Sequence, residues 1–465
     1  MHTYRTKGRV LPMEAARAWY LMRLLMVTVT LSAMTALMFN IVLPQVSEEF
    51  RLSYAQVSWL TSGYTIIYAF GTVIYGKLAD RFSLRNLLTF GLLLFAAGSL
   101  LGLLSGSYGM ALAGRCLQSA GAACVPAMAM IVPTRYVEPE RRGRALAMTA
   151  VGVALGSALA PAVSALLASV AHWRWLFFPP LLLLALLPFY RKALAEEPRS
   201  ASGRFDWLGG GLLGSAVALL LMGVTGRNGW LILAGLAAMG LFAVRVRFAR
   251  DPFIRPDLLQ NGRYSLALAL AFLIHAIGTS LYFLTPKLLS EIYGLDAGLI
   301  GFVMVPAALA AAVLGRKAGA FADRKGNGAL FRLASASLIA CFLLLSSFVG
   351  VSPLWISAML ILGNVGQSFM GIAMSNTVSR TLPKDQTGVG MGLFSMLAFI
   401  AQGMAAGVYG IAVEWNAEAS WNPVHPGREG SLYSNLYFCL AALHGVILFL
   451  YRSRFKEERL GERAV

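Results

Sequence analysis

Charged residues and cysteines are both scarce in this chain. Only 13% of the residues are charged, and 4 of 465 are cysteine. The cysteines lie singly in apolar stretches without metal-ligand spacing, so we expect neither a zinc site nor structural disulfides. No nucleophile–base constellation, phosphate-binding loop or metal cluster is recognisable. The sequence therefore predicts no enzyme, no cofactor and no bound metal.

Apolar residues fill most of the remaining sequence. Hydrophobic residues make up 58% of the chain and the mean hydropathy is +0.67, which is too apolar for a soluble domain. Runs of about 20 apolar residues have the length of a membrane-spanning helix. The predicted fold class is thus an all-α polytopic membrane protein. We read fourteen spans: 21–44, 56–76, 87–106, 109–132, 145–169, 173–190, 207–225, 229–245, 265–286, 298–318, 329–350, 353–376, 388–413 and 434–451.

The positive charge follows the predicted loops. Of the 39 Lys and Arg residues, 33 fall in alternate loops and the two termini, and 5 in the other loops. This asymmetry predicts a multi-pass protein of the cell (plasma) membrane with both termini cytoplasmic. It also makes anionic lipid headgroups the expected contact of the charge, rather than nucleic acid. The first apolar run, Leu21 to Pro44, is too long for a signal-peptide core and should remain as a helix.

Two copies of a polar hinge separate apolar runs. The first contains Gly76, Asp80 and Arg81, and the second contains Asp323 and Arg324, 243 residues later. In each copy a glycine four residues before the aspartate allows a helix end to abut its neighbour. The carboxylate is then free to pair with an arginine or to face a helix N-terminus. The repeat indicates an internal duplication, as in many secondary transporters.

The hinges divide the chain into two halves with an insertion. The repeat places six helices in each half and leaves the seventh and eighth between them, making two six-helix bundles plus two inserted helices. The predicted units are a cytoplasmic tail at 1–20, a first bundle at 21–190, linkers with the inserted pair at 191–264, a second bundle at 265–451 and a cytoplasmic tail at 452–465.

Two further patterns are candidates for function. Arg115 and Gln118 share one face of the fourth span, and an arginine in a membrane needs a partner or water. Either it snorkels to the surface or, as we favour, it faces a cavity. Gly152, Gly156 and Pro161 give the fifth span a small-residue face with a weak point. This favours close helix packing or a moving, gate-forming helix.

Carboxylates are absent from the middle of every predicted span. All 21 Asp and Glu residues fall in loops or at helix ends. The titratable groups that remain at mid-depth are His275 and His444, because histidine changes charge near neutral pH. The alternative for each histidine is a packing role. We expect a proton relay at His275 first and at His444 second.

These stretches together resemble the major facilitator superfamily. The resemblance is to its fourteen-helix drug/proton antiporters, and within them to the fourteen-helix tetracycline efflux proteins. It implies a major facilitator fold, a small-molecule substrate and protons as the coupling ion. It also implies gating roles for the two hinges, proton coupling for Arg115 and an antiporter motif at Gly152, Gly156 and Pro161. Asn40 matches the family pattern of the first helix.

The chain departs from that family at its buried acids. Ala36, Ser157 and Gln402 stand where the tetracycline proteins carry acidic residues. An Arg115 without a nearby carboxylate disfavours a cationic substrate. We expect a secondary active exporter of drug-like or amphiphilic molecules, with Asn40, His275 and Gln402 as further cavity groups. The alternatives are an uncoupled or differently coupled exporter of a neutral or anionic metabolite, and a transporter-derived membrane sensor.

Overall fold

The structure is a computed structural model, and every regular element in the part described is a helix. It describes residues 15–52, 54–57, 59–138, 141–194, 206–226, 228–249, 251–295, 297–383, 386–414, 422–423 and 430–455. The long helices of the first half are α1 Ala15–Phe50, α2 Trp59–Ala79, α3 Leu84–Leu103, α4 Tyr108–Tyr136, α5 Arg142–Val170 and α6 Trp173–Ala193. Those that follow are α7 Trp207–Thr225, α8 Gly229–Phe248, α9 Gly262–Glu291, α10 Ala297–Lys325, α11 Asn327–Ser347, α12 Pro353–Thr381, α13 Thr387–Glu414 and α14 Ser431–Arg454.

Each predicted span corresponds to one of these helices, and most of the helices extend beyond the apolar run at one or both ends. The first run was predicted at 21–44, whereas α1 covers Ala15–Phe50. Among the described residues, eleven helices are long and apolar enough to cross a membrane, or twelve if α10, which bends by 43°, is one span. The all-helical membrane fold is thus confirmed, and the count of fourteen spans stays a prediction.

Prolines explain the two irregular helices. α4 is interrupted at Ala123, three residues before Pro126, whose ring nitrogen has no hydrogen to donate to the preceding turn. Most of α6 is 3₁₀-helix, with Pro179 and Pro180 opening its second piece. Despite the break in α4 and the 3₁₀ geometry of α6, both helices remain long and apolar enough for a membrane span.

The helices form two bundles that meet along two seams. In the first bundle α1 packs on α5 and α3 on α4; in the second, α9 packs on α13, and α11 on both α12 and α14. Contacts between the bundles run along α5 with α10 and along α2 with α13. The two seams are equivalent in the two halves, as the duplication requires.

The inserted helices α7 and α8 pack on each other, and α7 lies against α13. Asp206 holds together the end of this pair at which α7 begins and α8 ends. Its Oδ1 accepts the backbone N–H of Gly209 at 3.0 Å and the Arg245 Nη2 at 3.2 Å, and its Oδ2 accepts the N–H of Phe253 at 3.2 Å. One carboxylate therefore joins the start of α7, the end of α8 and the linker that follows.

That linker touches both bundles. Lys77 Nζ, at the end of α2, donates to the Pro252 carbonyl at 3.3 Å. Farther along, Gln386 Nε2 donates to Asp257 at 3.3 Å, and Asn261 Nδ2 donates to the Thr381 carbonyl at 3.1 Å. The insertion is thus tied to the same end of the molecule as the two hinges.

Candidate functional site

The first hinge forms a contact between the two bundles. Asp80 accepts a bond from Arg135 Nη2 at 2.8 Å. Its two oxygens also accept the backbone N–H groups of Gly388 and Val389, each at 3.1 Å, at the start of α13. A Cβ on Gly76 would lie 2.5 Å from the Gly388 carbonyl oxygen, so only glycine permits this approach.

The second hinge repeats the arrangement in the opposite direction. Asp323, near the end of α10, accepts the backbone N–H groups of Gly143 at 3.0 Å and Arg144 at 3.1 Å. These open α5 in the first bundle. A Cβ on Gly319 would lie 2.5 Å from the Gly143 carbonyl oxygen. Each half therefore supplies an aspartate to the helix N-terminus of the other half.

We call these two contacts the latches, and the end of the molecule that holds them the latch end. A carboxylate at a helix N-terminus is stabilised by the unpaired N–H groups and the helix dipole. Burial nevertheless raises the pKa of Asp80, against the lowering effects of Arg135 and the Val389 and Gly388 N–H groups. Keeping the Asp80 carboxylate charged in the closed latch therefore costs desolvation free energy. Opening of the latch would let water reach the carboxylate and relieve this cost.

Of the hinge arginines, Arg81 is half-buried and Arg324 is exposed. The arginine that pairs with Asp80 is instead Arg135 of α4. Sequence reasoning did not identify Arg135, nor the N-terminus of α13, as latch partners. The separation along the chain from Asp80 to Gly388 is 308 residues, and no local spacing signals it.

Arg115 is completely enclosed within the first bundle, with 0% of its surface exposed. Its Nε donates to the Leu60 carbonyl at 3.1 Å, where α2 begins. Its Nη1 donates to Gln118 Oε1 at 2.6 Å and to the Thr35 carbonyl of α1 at 3.5 Å. The guanidinium thus connects α1, α2 and α4 through carbonyl and amide oxygens.

Two aromatic rings take the place of a carboxylate beside Arg115. Its Cζ lies 4.1 Å from the Phe39 ring centroid and 4.0 Å from that of Tyr64. Gln118 extends the network by donating to Ser99 Oγ at 2.8 Å, which adds α3. Cation–π contacts in such a desolvated setting are worth about 2 kcal/mol or more. Arg115 was predicted to face a cavity, and the structure differs because this aromatic and amide environment encloses it.

The small residues of α5 serve close packing in this structure. A Cβ on Gly152 would lie 2.7 Å from the Met26 carbonyl, and one on Gly156 would lie 3.0 Å from the Met34 nitrogen. Both neighbours belong to α1 of the same bundle. The side chains of Pro161 and Asn40 lie outside the described residues.

His275 and Gln402 lie on different helices of the second bundle. His275 is half-buried on α9, and its ring centroid lies 6.0 Å from that of Phe394 on α13. Gln402 is an exposed side chain of α13 and donates to the Ala398 carbonyl of its own helix at 3.1 Å. Neither is brought to Arg115.

A group of polar residues on α12 was overlooked in the sequence. Asn364, Gln367 and Ser368 occur within five residues, in the middle of a long apolar helix. Tyr282 of α9 donates to Asn364 Oδ1 at 2.6 Å. The signal was available as amide and hydroxyl groups at mid-span, where polar atoms are costly and commonly functional.

Two helical bundles, each joined by an aspartate to a helix N-terminus of the other, define a two-half membrane architecture. The sequence profile of the Major Facilitator Superfamily matches residues 25–406, and the chain belongs to this superfamily. It is a multi-pass membrane protein of that family.

Curated relatives include proteins of several transport functions. The chain is 28% identical over 368 residues to the uncharacterized MFS-type transporter Rv1250 of Mycobacterium tuberculosis, covering 76% of this chain and 63% of that protein. It is 22% identical over 386 residues to the riboflavin transporter RibZ of Clostridioides difficile, covering 80% and 83%. It is 27% identical over 428 residues to the methylenomycin A resistance protein of Bacillus subtilis, covering 87% and 90%. The chain thus spans less than two thirds of the first of these relatives.

A solved structure shares the fold. The human organic anion transporter MFSD10 superposes with a TM-score of 0.69 at 18% identity, covering 93% of this chain and 99% of that chain. At this identity the likeness supports the architecture of paired bundles and carries no information on cargo.

Proposed function

We propose that this protein is a secondary active exporter of drug-like or amphiphilic small molecules that works by alternating access. The observation that carries the proposal is the pair of latches. Asp80 and Asp323 join the two bundles at one end of the molecule, through contacts that relative rotation of the bundles would break. Rocking of two repeat-related halves about a central site is the transport cycle this arrangement fits.

The direction of transport and the location are part of the proposal. We place the latch end at the cytoplasmic side of the plasma membrane, with both termini on that side, from the distribution of Lys and Arg. A resistance protein among the relatives supports efflux. In this orientation the latched structure is closed to the cytoplasm. Gly152, Gly156 and Pro161 then belong to the contact of α5 with α1 on which the first bundle adjusts.

Proton antiport is the proposed coupling mode. His275 is the candidate proton carrier, because it is half-buried on α9 and lies in a helix without a carboxylate at mid-length. Arg115 supports coupling indirectly, by fixing the helices of the first bundle. Tetracycline is one test compound among several, since the acids that a metal–tetracycline complex would need are replaced at Ala36, Ser157 and Gln402.

The test is transport in inside-out vesicles with an imposed pH gradient, comparing wild type with His275→Gln and Asp80→Asn. Tetracycline, ethidium and riboflavin are supplied as cargo. We expect gradient-driven uptake of at least one compound, loss of the gradient dependence in His275→Gln and a slower turnover in Asp80→Asn. Arg191→Ala, at an exposed arginine, is the matched control and should behave as wild type.

Two outcomes would contradict the proposal. Uptake that is indifferent to the pH gradient in wild type would show an uncoupled exporter or facilitator. Binding of compounds without movement of any of them would instead favour a transporter-derived sensor.

A further inference from the structure

Four polar residues in the middle part of α12 lie on one face of the helix. Asn364, Gln367, Ser368 and Ser375, together with Gly371, are spaced at i, i+3, i+4, i+11 and i+7, which places them within an arc of about 100°. We call this set the α12 polar face. Its members are uncharged, and they extend over about three turns in the middle and latch-end half of the helix.

Contacts from neighbouring helices show where this face points. Near its outer end Asn364 receives the Tyr282 hydroxyl of α9 at 2.6 Å. At the other end Ser375 Oγ donates to Met130 Sδ at 3.1 Å, and Met130 belongs to α4 of the opposite bundle. The face therefore runs from its own bundle to the first bundle, between the two halves and away from lipid.

The middle of the α12 polar face also lies between the two bundles. A Cβ on Gly315 of α10 would lie 3.3 Å from Ser368 Oγ and 3.1 Å from Val151 Cγ2 of α5. Ser368 thus lies beside the seam of α5 and α10. Gln367, one residue earlier, packs against Gly278 of α9.

Several polar atoms of this face have unused hydrogen-bonding capacity. Gln367 Oε1 and Ser368 Oγ are buried and have no hydrogen-bond partner in the described part of the protein. Leaving such an atom unpaired costs about 1–3 kcal/mol. Gly371 has open space beside it, since an added Cβ would meet no neighbouring atom within 4 Å. The unpaired groups and the space adjoin each other on one helix face.

Tyr282 adds an aromatic surface at the same level. It is 54% exposed, although its hydroxyl bonds to the buried Asn364 of the facing helix. His275 is seven residues earlier in α9, two turns away on the same side of that helix. The exposed ring therefore borders the interior between α9 and α12 rather than the outer surface.

We propose that the α12 polar face and Tyr282 bind the cargo, and that the cargo is an uncharged aromatic compound with amide or imide and hydroxyl groups. This inference rests on the proposed transport function and names its substrate class. An N–H of the cargo would bond to Gln367 Oε1, a hydroxyl or carbonyl to Ser368 Oγ, and its ring would lie on Tyr282. Ionic cargo is disfavoured, because the face offers no countercharge and Arg115 is enclosed elsewhere.

Riboflavin is a suitable probe for this class. It is uncharged and fluorescent, combines an imide-containing ring system with hydroxyl groups, and is the cargo named for one relative. Binding is measured by fluorescence on the purified full-length protein in detergent, with fluorescein as the anionic and ethidium as the cationic comparison. We expect riboflavin to bind most tightly to wild type.

Variants of the face test the named residues. Gln367→Leu and Ser368→Ala should each weaken riboflavin binding by about tenfold or more, since each removes one hydrogen bond from a desolvated site. Gln45→Leu, at an exposed glutamine of α1, is the matched control and should bind as wild type. Thermal unfolding of each variant checks that the fold is intact. If Gln367→Leu misfolds, Ser368→Ala still tests the site, because it removes only one oxygen atom.

The outcomes separate this inference from the proposed function. Tight riboflavin binding that both variants weaken supports the site even if vesicles show no transport, in which case the exporter proposal alone fails. Failure of wild type to bind riboflavin, tighter binding of fluorescein or ethidium, or binding unaffected by both α12 substitutions would each overturn the inference. Gradient-driven transport of another compound in those cases would leave the exporter proposal standing.

Discussion

At the scale of single residues, Arg115 shows how a charge is kept in an apolar bundle without an acid. Its donors reach carbonyl and amide oxygens of Leu60, Thr35 and Gln118, and two aromatic rings cover its faces. Every one of these groups stabilises the cation without adding a negative charge. Such a residue fixes helix positions, and we expect its removal to affect stability before cargo choice.

The first prediction follows from that environment. Arg115→Ala should lower the free energy of unfolding by about 2–4 kcal/mol, because it leaves a cavity and deprives Gln118 Oε1 of its donor. Arg115→Met fills most of the volume and removes the desolvated charge, so it should lose less. Thermal unfolding in detergent measures both, with Arg191→Ala as the exposed control. An Arg115→Ala protein of wild-type stability that no longer transports would show a direct role in coupling.

The second prediction concerns Glu49, at the end of the molecule away from the latches. Its carboxylate accepts Trp173 Nε1 at 2.5 Å and pairs with Arg174 at 2.8 Å and His172 at 3.3 Å. Burial acts to raise the pKa of Glu49, but the bonds from Trp173 and Arg174 outweigh it and hold the pKa below its ordinary value of 4.5. A lowered pKa means that folding favours the charged form.

The pH dependence follows from that sign. The stabilisation by Glu49 should be complete above about pH 4.5 and disappear as the pH falls through the lowered value. Glu49→Gln should therefore melt at a lower temperature than wild type at pH 7, and the two melting temperatures should converge as the pH falls below the lowered pKa of Glu49. Glu48→Gln, at the exposed neighbouring glutamate, is the control. A difference in melting temperature that is constant with pH would contradict this account.

At the scale of helices, the sequence predicted the elements well and their mutual orientation poorly. Apolar runs of membrane-spanning length locate the helices, because this length can be recognised within a single stretch of sequence. Some helices continue into the polar residues that flank the run, as α1 does. The spacing from Gly to Asp in each hinge is also a local pattern, and it indicated that a helix end contacts a neighbouring helix there. The backbone partners of Asp80 lie in the other half of the chain, so no spacing identified Gly388 or Val389.

Rotation of a helix about its axis is a second quantity that sequence leaves open. Arg115 was assigned to a cavity because it is charged, whereas the rings of Phe39 and Tyr64 enclose it. Conversely, Gln367 and Ser368 were not identified, because they carry no charge and lie outside the stretches that carry the family resemblance. In an apolar bundle an unpaired amide is as informative as a charge, since both must be compensated.

The third prediction concerns the inserted helices α7 and α8. Asp206 joins the start of α7 to the end of α8 and to the linker that follows. Asp206→Ala removes the cap of α7 and leaves the buried N–H of Phe253 without an acceptor, at a cost of about 1–2 kcal/mol for the cap and 1–3 kcal/mol for the orphaned group. We expect a lower melting temperature and faster protease cleavage in the segments that flank α7 and α8.

The matched control for Asp206 is Asn228, which caps α8 at the opposite end. Its Oδ1 accepts the N–H groups of Trp230 at 3.0 Å and Leu231 at 3.3 Å, in an exposed position. Asn228→Ala should therefore cost about 1 kcal/mol and leave the linker cleavage rate unchanged. Equal effects of the two substitutions would show that Asp206 acts as a helix cap alone, without joining the linker.

At the scale of the whole molecule, the two latches make one end of the protein a closed interface between the two bundles. Met130 and Ser375 meet across that interface, with 3.1 Å between Sδ and Oγ. They belong to α4 and α12, which lie in opposite bundles. Alternating access requires this distance to increase when the latch end opens.

The fourth prediction is that a covalent link at this position stops the cycle. In the double variant Met130→Cys with Ser375→Cys, oxidation should form a disulfide only while the latches are closed, since the bond requires Cα atoms within about 7 Å. Oxidised protein should lose transport, and dithiothreitol should restore it. The single variants are the controls, because they report any reaction of the native cysteines, of which Cys124 and Cys341 are buried and Cys439 is exposed. Adding Asp80→Asn should slow disulfide formation by shifting the population toward the open state. Full transport by the cross-linked protein would show that the two halves do not separate at the latch end during the cycle.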